Sequence, residues 1–267
     1  MNKRRLLLIA ILTTASMIAK AQQPPASSQP IEDNSFLIEE AYNQEKGVIQ
    51  YINTFTRTRN GDFAYTFTNE FPMDGQRHQF SYTIQYLRTS RRLGFGDTFI
   101  NYRYQLHGMK EEDKVAISPR ASLILPTGNY RKSEGTGALG YQFNFPVSVV
   151  HSKLIVTHWN AGATFIPHAK DPAGEKADLS AFNLGQSTVF LIKPNFNFLV
   201  ETFWARNDVT IGPHKTTPNY SLLINPGVRW AYNFKNGLQI VPGIAAPIGA
   251  GPSYGEHAIY LYLSFEK

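Results

Sequence analysis

The sequence predicts an all-β fold, an antiparallel transmembrane up-and-down β-barrel of about 12 strands in a bacterial outer membrane. Three observations predict it: an export signal at the amino terminus, a hydrophobic period of two residues, and connections that alternate between short and long. Together they describe an exported chain whose strands face a different environment on each side.

The chain begins with an expected secretory signal peptide over residues 1–21. Basic residues precede an apolar run over residues 6–19, and Ala19-Lys20-Ala21 fits an A-x-A cleavage site. This run is shorter than the roughly 20 residues that a membrane helix needs. Four of the 26 basic and none of the 20 acidic residues lie in this leader, so the rest of the chain carries a net charge of +2. That charge gives no electrostatic case for nucleic-acid binding.

Two short segments are expected before the barrel. Residues 22–34 are rich in Gln, Pro, Ala and Ser and indicate a disordered leader. Residues 35–46 form a short periplasmic segment that is acidic and follows Asp33 and Asn34, which could cap a short helix. Two interpretations remain open for it: a simple lead-in to the first strand, or a plug across the periplasmic mouth. The candidate plug residues are Glu39, Glu40 and Glu45.

Residues 47–267 are expected to form the barrel, because apolar side chains recur there at every second position. Over residues 139–149, aromatic and aliphatic residues alternate with Gly, Gln, Asn, Pro and Ser, and residues 79–86 and 219–230 show the same division. Such strands have one apolar and one polar face. The predicted strands cover residues 47–57, 61–71, 78–88, 95–106, 115–126, 138–150, 154–165, 179–192, 196–206, 219–232, 238–246 and 257–265.

The connections support this count in the second half of the chain, because outer-membrane barrels have short periplasmic turns and longer outer loops. The short connections cover residues 151–153, 193–195 and 233–237. The long ones cover residues 127–137, 167–178, 207–218 and 247–256. This alternation predicts that both chain ends lie in the periplasm, although residues 57–60 are tight for an outer loop.

A soluble β-sandwich is the main alternative fold. The polar face of a sandwich meets water and carries many Lys and Glu, whereas here that face is mostly Gly, Ser, Asn, Gln and Thr. The 18 Phe, 14 Tyr and 3 Trp also fit the aromatic girdles and the lipid-facing surface of a barrel. The barrel is therefore favoured.

Charged and titratable residues on the expected inner face are the candidate functional residues. They are Arg88, Asp97, Arg103, Arg120, His158, Glu201 and Arg229. They could form a narrow polar pathway or ligand site that selects solutes, or they could pair with one another in a filled interior. The chain has no cysteine and no paired histidine spacing, so neither a metal nor a cofactor is expected.

The run SFLIEEAYNQEKGVIQYI over residues 35–52 resembles the opening of the Putative MetA-pathway of phenol degradation family. The similarity continues in Leu123, in residues 126–128 and in residues 260–265. The resemblance implies an outer-membrane transporter-like barrel and the passage of small hydrophobic or aromatic compounds, and it supplies no catalytic or binding residues. One departure is the carboxyl terminus, where Phe265 is followed by Glu266 and Lys267 rather than ending the chain.

The expected function is a passive channel for small solutes, including hydrophobic or aromatic ones. The alternatives are a lipid-modifying enzyme, with His158, His168 or His214 as its base, and a structural barrel without transport. The expected partners are outer-membrane lipids, the barrel-assembly machinery, periplasmic chaperones and a small-molecule solute, with no nucleic acid.

Overall fold

A computed structural model describes residues 31, 35–73, 75–89, 92–110 and 112–267. The expected signal peptide and nearly all of the expected leader lie outside these residues. The strands of the described part are β1 (Gln50–Thr58), β2 (Phe63–Pro72), β3 (His78–Thr89), β4 (Arg92–Phe95), β5 (Thr98–Tyr104), β6 (Val115–Ile117), β7 (Arg120–Leu125), β8 (Gly140–Val150), β9 (Ile155–Lys170), β10 (Lys176–Lys193), β11 (Phe196–Gly212), β12 (Lys215–Trp230), β13 (Tyr232–Asn233), β14 (Gln239–Ala245), β15 (Ile248–Gly249) and β16 (Ala258–Glu266). Two 3-10 turns, Tyr130–Lys132 and Gly251–Ser253, complete the elements. No helix within the described ranges is long and apolar enough to cross a membrane.

These strands close into an antiparallel barrel with twelve strand positions in its wall. Strands β4 and β5 both pair with β3, and β6 and β7 both pair with β8, so each pair fills one position. Strand β13 extends β12, and β15 extends β14. The sheet closes where β1 pairs with β16 over nine residues. The predicted fold class and strand number are confirmed, and closure pairs the sheet edges that lipid could not hydrate.

The period of two residues seen in the sequence corresponds to the two faces of the wall. On β8, Phe143 points outward and is 61% exposed, whereas Ser148 faces the lumen and is fully buried. The outward face carries most of the large exposed apolar residues, and it would contact hydrocarbon in a membrane. The lumen face carries hydroxyl, amide and charged groups, which other polar groups inside the barrel contact.

Two of the predicted long outer loops are wrong, because the strands continue through them. β9 extends to Lys170 and β10 starts at Lys176, while β11 and β12 are separated by only residues 213–214. The prolines that suggested loops are tolerated for local reasons. Pro167 lies at a bulge between β9 and β10, and Pro218 lies beyond Leu223, where the pairing of β12 with β15 ends. The long connections over residues 126–139 and 250–257 remain.

Both ends of the barrel domain lie at one rim, which we call the terminal rim; the opposite rim is the far rim. Ile49 and Lys267 exchange two backbone hydrogen bonds there, with N···O distances of 2.8 and 3.0 Å. Phe265 pairs with Tyr51 one step above this junction and points outward. An even number of strands places both termini on the periplasmic side in outer-membrane barrels.

Candidate functional site

Residues 35–44, which we call the lumen segment, cross the inside of the barrel in an extended, bent conformation. The short helix expected here is wrong. Instead of bonding to carbonyls four residues earlier, the backbone N–H groups donate to side chains of the wall. The donors and acceptors are Leu37 and Ile38 to Glu201 Oε1 at 2.9 and 3.1 Å, Glu39 to Asn160 Oδ1 at 2.9 Å, Ala41 to Ser148 Oγ at 2.8 Å, Asn43 to Gln105 Oε1 at 2.8 Å, and Gln44 to Gln79 Oε1 at 2.7 Å.

The carbonyl groups of the lumen segment are also bound by the wall. Tyr260 OH donates to the carbonyl of Phe36 at 2.6 Å, and Gln105 Nε2 donates to that of Ala41 at 2.6 Å. Asn160 Nδ2 donates to the carbonyl of Glu39 at 2.8 Å. Buried backbone groups need such partners. The amide and hydroxyl groups of the lumen wall therefore serve largely to bind the extended backbone of the lumen segment.

Arg120 joins the lumen segment to the wall through Glu39. Its Nη2 donates to Glu39 Oε1 at 2.6 Å and its Nε donates to Oε2 at 3.0 Å, a bidentate arrangement. Nη1 and Nη2 also donate to Asn101 and Gln142 on the neighbouring strands, each at 3.0 Å. Charge-assisted pairs of this geometry are among the stronger hydrogen bonds in proteins.

Arg103 binds the backbone of the same segment rather than a carboxylate. Its Nη2 donates to the carbonyl of Tyr42 at 2.7 Å, and its Nη1 donates to that of Glu40 at 3.2 Å. Its Nε donates to Asn43 Oδ1 at 2.8 Å. Glu70 lies 3.8 Å from Nη2 as a distant ion-pair partner. The planar guanidinium group thus supports one bend of the segment with three donors.

Two apolar side chains of the lumen segment fit against glycines of the wall. Phe36 covers Gly227 and Gly243, where a Cβ atom at Gly243 would lie 2.6 Å from the ring. Ile38 covers Gly185 in the same way. Phe36 also packs on the rings of Tyr260 and Tyr262 at centroid distances of 5.6 and 5.9 Å. Burying one such side chain contributes about 1.5–3 kcal/mol.

The lumen segment lies between two cavities. On its far-rim side is a cavity of 480 Å³, lined by threonines of β1, β2 and β3 and by Phe36, Phe99, Tyr260 and Tyr262. On its terminal-rim side is a cavity of 540 Å³, which Glu40, Glu45, His158 and Arg229 line. The segment is therefore the boundary that a solute crossing the barrel would meet.

Most of the residues predicted to face the lumen do so in the structure. Arg103, Arg120, His158, Glu201 and Arg229 face the lumen, and all but Arg120 are at most 3% exposed. The prediction for Arg88 is wrong: it continues the outward series of Phe80, Tyr82, Ile84 and Tyr86 and lies near the far rim. Arg88 lies nine positions after Gln79 and seven after Ser81, both of which face the lumen, and an odd offset along a strand puts a side chain on the opposite face.

Asp97 has a role in the far rim. Its Oδ1 accepts from the N–H of Gly128 at 2.9 Å, and its Oδ2 accepts from Thr136 N and Oγ1, both at 2.8 Å. These bonds join the two ends of the long connection over residues 126–139. The Asp97 carboxylate thus stabilises the loop over residues 126–139.

The wall residues that bind most of the lumen segment were absent from the sequence-based candidates. Gln79, Gln105, Ser148 and Asn160 are uncharged, whereas the candidates were chosen for charge. Their position on the polar face of predicted strands was the available signal. Sequence reasoning could have included them only by counting every inward amide and hydroxyl.

The comparisons with known proteins agree with this architecture. The COG4313 outer membrane channel from Pseudomonas putida F1 is 10% identical and aligns with a TM-score of 0.56 over 92% of this chain and 99% of that one. The NanC porin is 12% identical and aligns with a TM-score of 0.51 over 81% and 98%. At these identities the likeness concerns the fold, an outer-membrane barrel. No curated protein sequence matches. Residues 30–249 match the family described as Putative MetA-pathway of phenol degradation, and the chain belongs to that family.

Proposed function

We propose that this protein is a passive, energy-independent outer-membrane channel for small solutes, with the lumen segment as its constriction. The observation that carries the proposal is the 480 Å³ cavity whose floor is the lumen segment. A cavity of this size lies in the range of small-molecule sites. Solutes would collect in it and pass the segment along the gradient between the two sides.

The lining of the cavity favours small solutes with both an apolar and a polar part. The hydroxyl groups of Thr54, Thr66 and Thr83 and their neighbours line the cavity, and the aromatic rings of Phe36 and Tyr262 lie beside them, Tyr262 as the cross-strand partner of Thr54. Aromatic faces bind flat apolar rings, and hydroxyl groups can donate or accept a hydrogen bond. Small hydroxylated aromatic compounds match both features and agree with the family description.

Reconstitution of the full chain tests the proposal directly. The folded barrel, verified by its heat-modifiable migration on gels, would be placed in planar bilayers and in liposomes. We expect a small, steady conductance, and faster swelling with small phenolic solutes than with disaccharides. A folded barrel with neither conductance nor solute flux would overturn the proposal and favour a structural role.

We propose further that the Ser148–His158 pair is structural and that the barrel is not an enzyme. Ser148 Oγ lies 2.7 Å from His158 Nδ1, as a nucleophile and base would. However, both side chains are buried, and Ser148 Oγ also accepts the N–H of Ala41. An acyl substrate would first have to displace the lumen segment. Lipid hydrolysis that is lost in Ser148→Ala would contradict this view.

Of the other two histidines considered for catalysis, His168 lies at the bulge of β9 and His214 lies in the tight turn between β11 and β12. His168 and His214 have backbone φ values of 56° and 54°. His168 is exposed and lies 3.4 Å from Asp178, with which it stabilises a bulge. These positions support a role in the local backbone conformation rather than in catalysis.

A further inference from the structure

The outward face of the barrel has an open cavity of 600 Å³ that extends from β5 to Ala161 and Ala163 of β9, and part of it is a groove between two aromatic ridges. Tyr102 and Tyr104 of β5 form one ridge, and Phe143 and Phe145 of β8 form the other. Pro119 and Ala121 form the floor between them. Tyr102 pairs with Ala121, and Ala121 pairs with Phe143, so the three form one row across adjacent strands. The small residues of β7 therefore leave a channel along the strand direction.

Two basic side chains lie at the terminal rim beside the tyrosine ridge, on its β3 side. Arg77 is exposed, and its Nη1 donates to Tyr104 OH at 3.2 Å while its guanidinium lies 6.0 Å from the centre of that ring. His78 Nδ1 and Tyr102 OH share a hydrogen bond of 2.7 Å. The two tyrosines that form one ridge thus hold two basic side chains at the level where a strand leaves the bilayer.

We propose that this groove binds one phospholipid with an anionic headgroup from the leaflet at the terminal rim. The acyl chain lies between the aromatic ridges, and the phosphate is bound by Arg77 with His78 beside it. The occupant follows from the two surfaces. An apolar groove open to hydrocarbon must be filled by hydrocarbon, and an arginine beside the terminal-rim residue of the tyrosine ridge binds phosphate through a planar pair of donors. The site lies outside the lumen and is independent of any solute pathway.

Native mass spectrometry of the full, folded barrel tests the proposal by titration with phosphatidylglycerol, with phosphatidylcholine and with glycerol 3-phosphate. We expect one tightly retained phosphatidylglycerol, weaker retention of phosphatidylcholine, and no competition by glycerol 3-phosphate, which lacks acyl chains. Arg77→Gln and Ala121→Phe should each weaken phosphatidylglycerol binding by about tenfold. The first removes the charge, and the second fills the groove.

Matched controls are available on the same outward face. Arg57→Gln removes an exposed arginine near the far rim, and Thr202→Phe introduces the same side chain on β11, four strands away from β7 around the wall. Both should retain the lipid as the wild type does. Equal retention in Arg77→Gln and Arg57→Gln, equal affinity for the two phospholipids, or displacement by glycerol 3-phosphate would each overturn the proposal.

Discussion

Arg120 and Glu39 form a bidentate ion pair, with Nη2 2.6 Å from Oε1 and Nε 3.0 Å from Oε2. Both partners of this connection between the lumen segment and the wall are charged, and both carboxylate oxygens are used. The pair lies beneath the far-rim cavity, since both residues line it. The mobility of the constriction is therefore expected to depend on this pair.

Removing either charge should loosen the lumen segment. Arg120→Gln and Glu39→Gln should each cost about 1.5–3 kcal/mol of segment stability, the range for hydrogen bonds to charged groups. We expect faster hydrogen exchange at the amides of residues 37–44 and a higher open-channel conductance. The double variant should cost less than the sum of the two single variants. Strict additivity would show that the pair contributes nothing to the segment.

Acid should break the Arg120–Glu39 ion pair by protonating Glu39. Burial acts to raise the pKa of Glu39, but the charge and hydrogen bonds of Arg120 outweigh it, so the pKa lies below its ordinary value of 4.5. A lowered pKa in the folded state means that the pair stabilises the segment above pH 4.5 and is lost as the pH falls through the lowered value. The protection of the Glu39 amide against hydrogen exchange should therefore stay constant from pH 7 to 5, because the pair remains intact. Below pH 4.5 this protection should fall. Glu39→Gln should abolish that step, and its persistence there would assign it to another group.

Filling a glycine site should displace the segment. Gly185→Val places methyl groups where Ile38 now packs, so we expect higher conductance and faster proteolysis within residues 35–44. Ile38→Ala in the same chain should restore the wild-type values, because it removes the competing volume. Ala181→Val, four residues nearer the far rim on β10, is the control. If the double variant keeps the high conductance and fast proteolysis, Gly185 is required for the structure of the barrel wall and not for packing against Ile38.

The hydroxyl group of Tyr260 should contribute to the lumen segment independently of its ring. Tyr260→Phe keeps the contact with Phe36 but leaves the Phe36 carbonyl without this donor, at a cost of about 1–3 kcal/mol. Exchange should rise at residues 36–38, with unchanged barrel stability to heat. Tyr254→Phe, at a side chain that is 90% exposed, should change neither.

The far-rim loop should be separable from the lumen. Asp97→Ala removes three hydrogen bonds to Gly128 and Thr136, so cleavage within residues 126–139 by an added protease should increase several-fold. Solute flux through the lumen should remain close to that of the wild type. Glu256→Ala, an exposed change at the same rim, should alter neither. A fall in flux with Asp97→Ala would connect the loop to the pathway.

The strands could be predicted from the sequence because facing lipid or lumen is a local property of each residue. The alternation from Tyr141 to Val149 requires no knowledge of the neighbouring strand. The same rule is a weaker guide at the far-rim ends of β9 to β12, where Lys170, Lys176 and Lys215 border the connections and the strands continue through residues expected to form loops. Counting from Gln79 would also have turned Arg88 outward.

The conformation of the lumen segment could not be predicted in this way. Its helix prediction depended on nearby capping residues, whereas its real partners are distant: Ala41 bonds to Ser148 and Leu37 bonds to Glu201. Local propensity is a weak guide where tertiary partners satisfy the backbone. The sequence identified charged residues that face the lumen, but it could not pair Arg120 with Glu39.

The distance in sequence between these partners also bears on how the polypeptide assembles. Residues 35–44 precede every strand of the sheet in the chain, yet Glu201 and Tyr260, which bind Leu37 and Phe36, lie 164 and 224 residues further along it. Contacts of such long range form late. The segment that precedes the first strand is thus expected to acquire its native structure among the last, when the first and final strands pair around it.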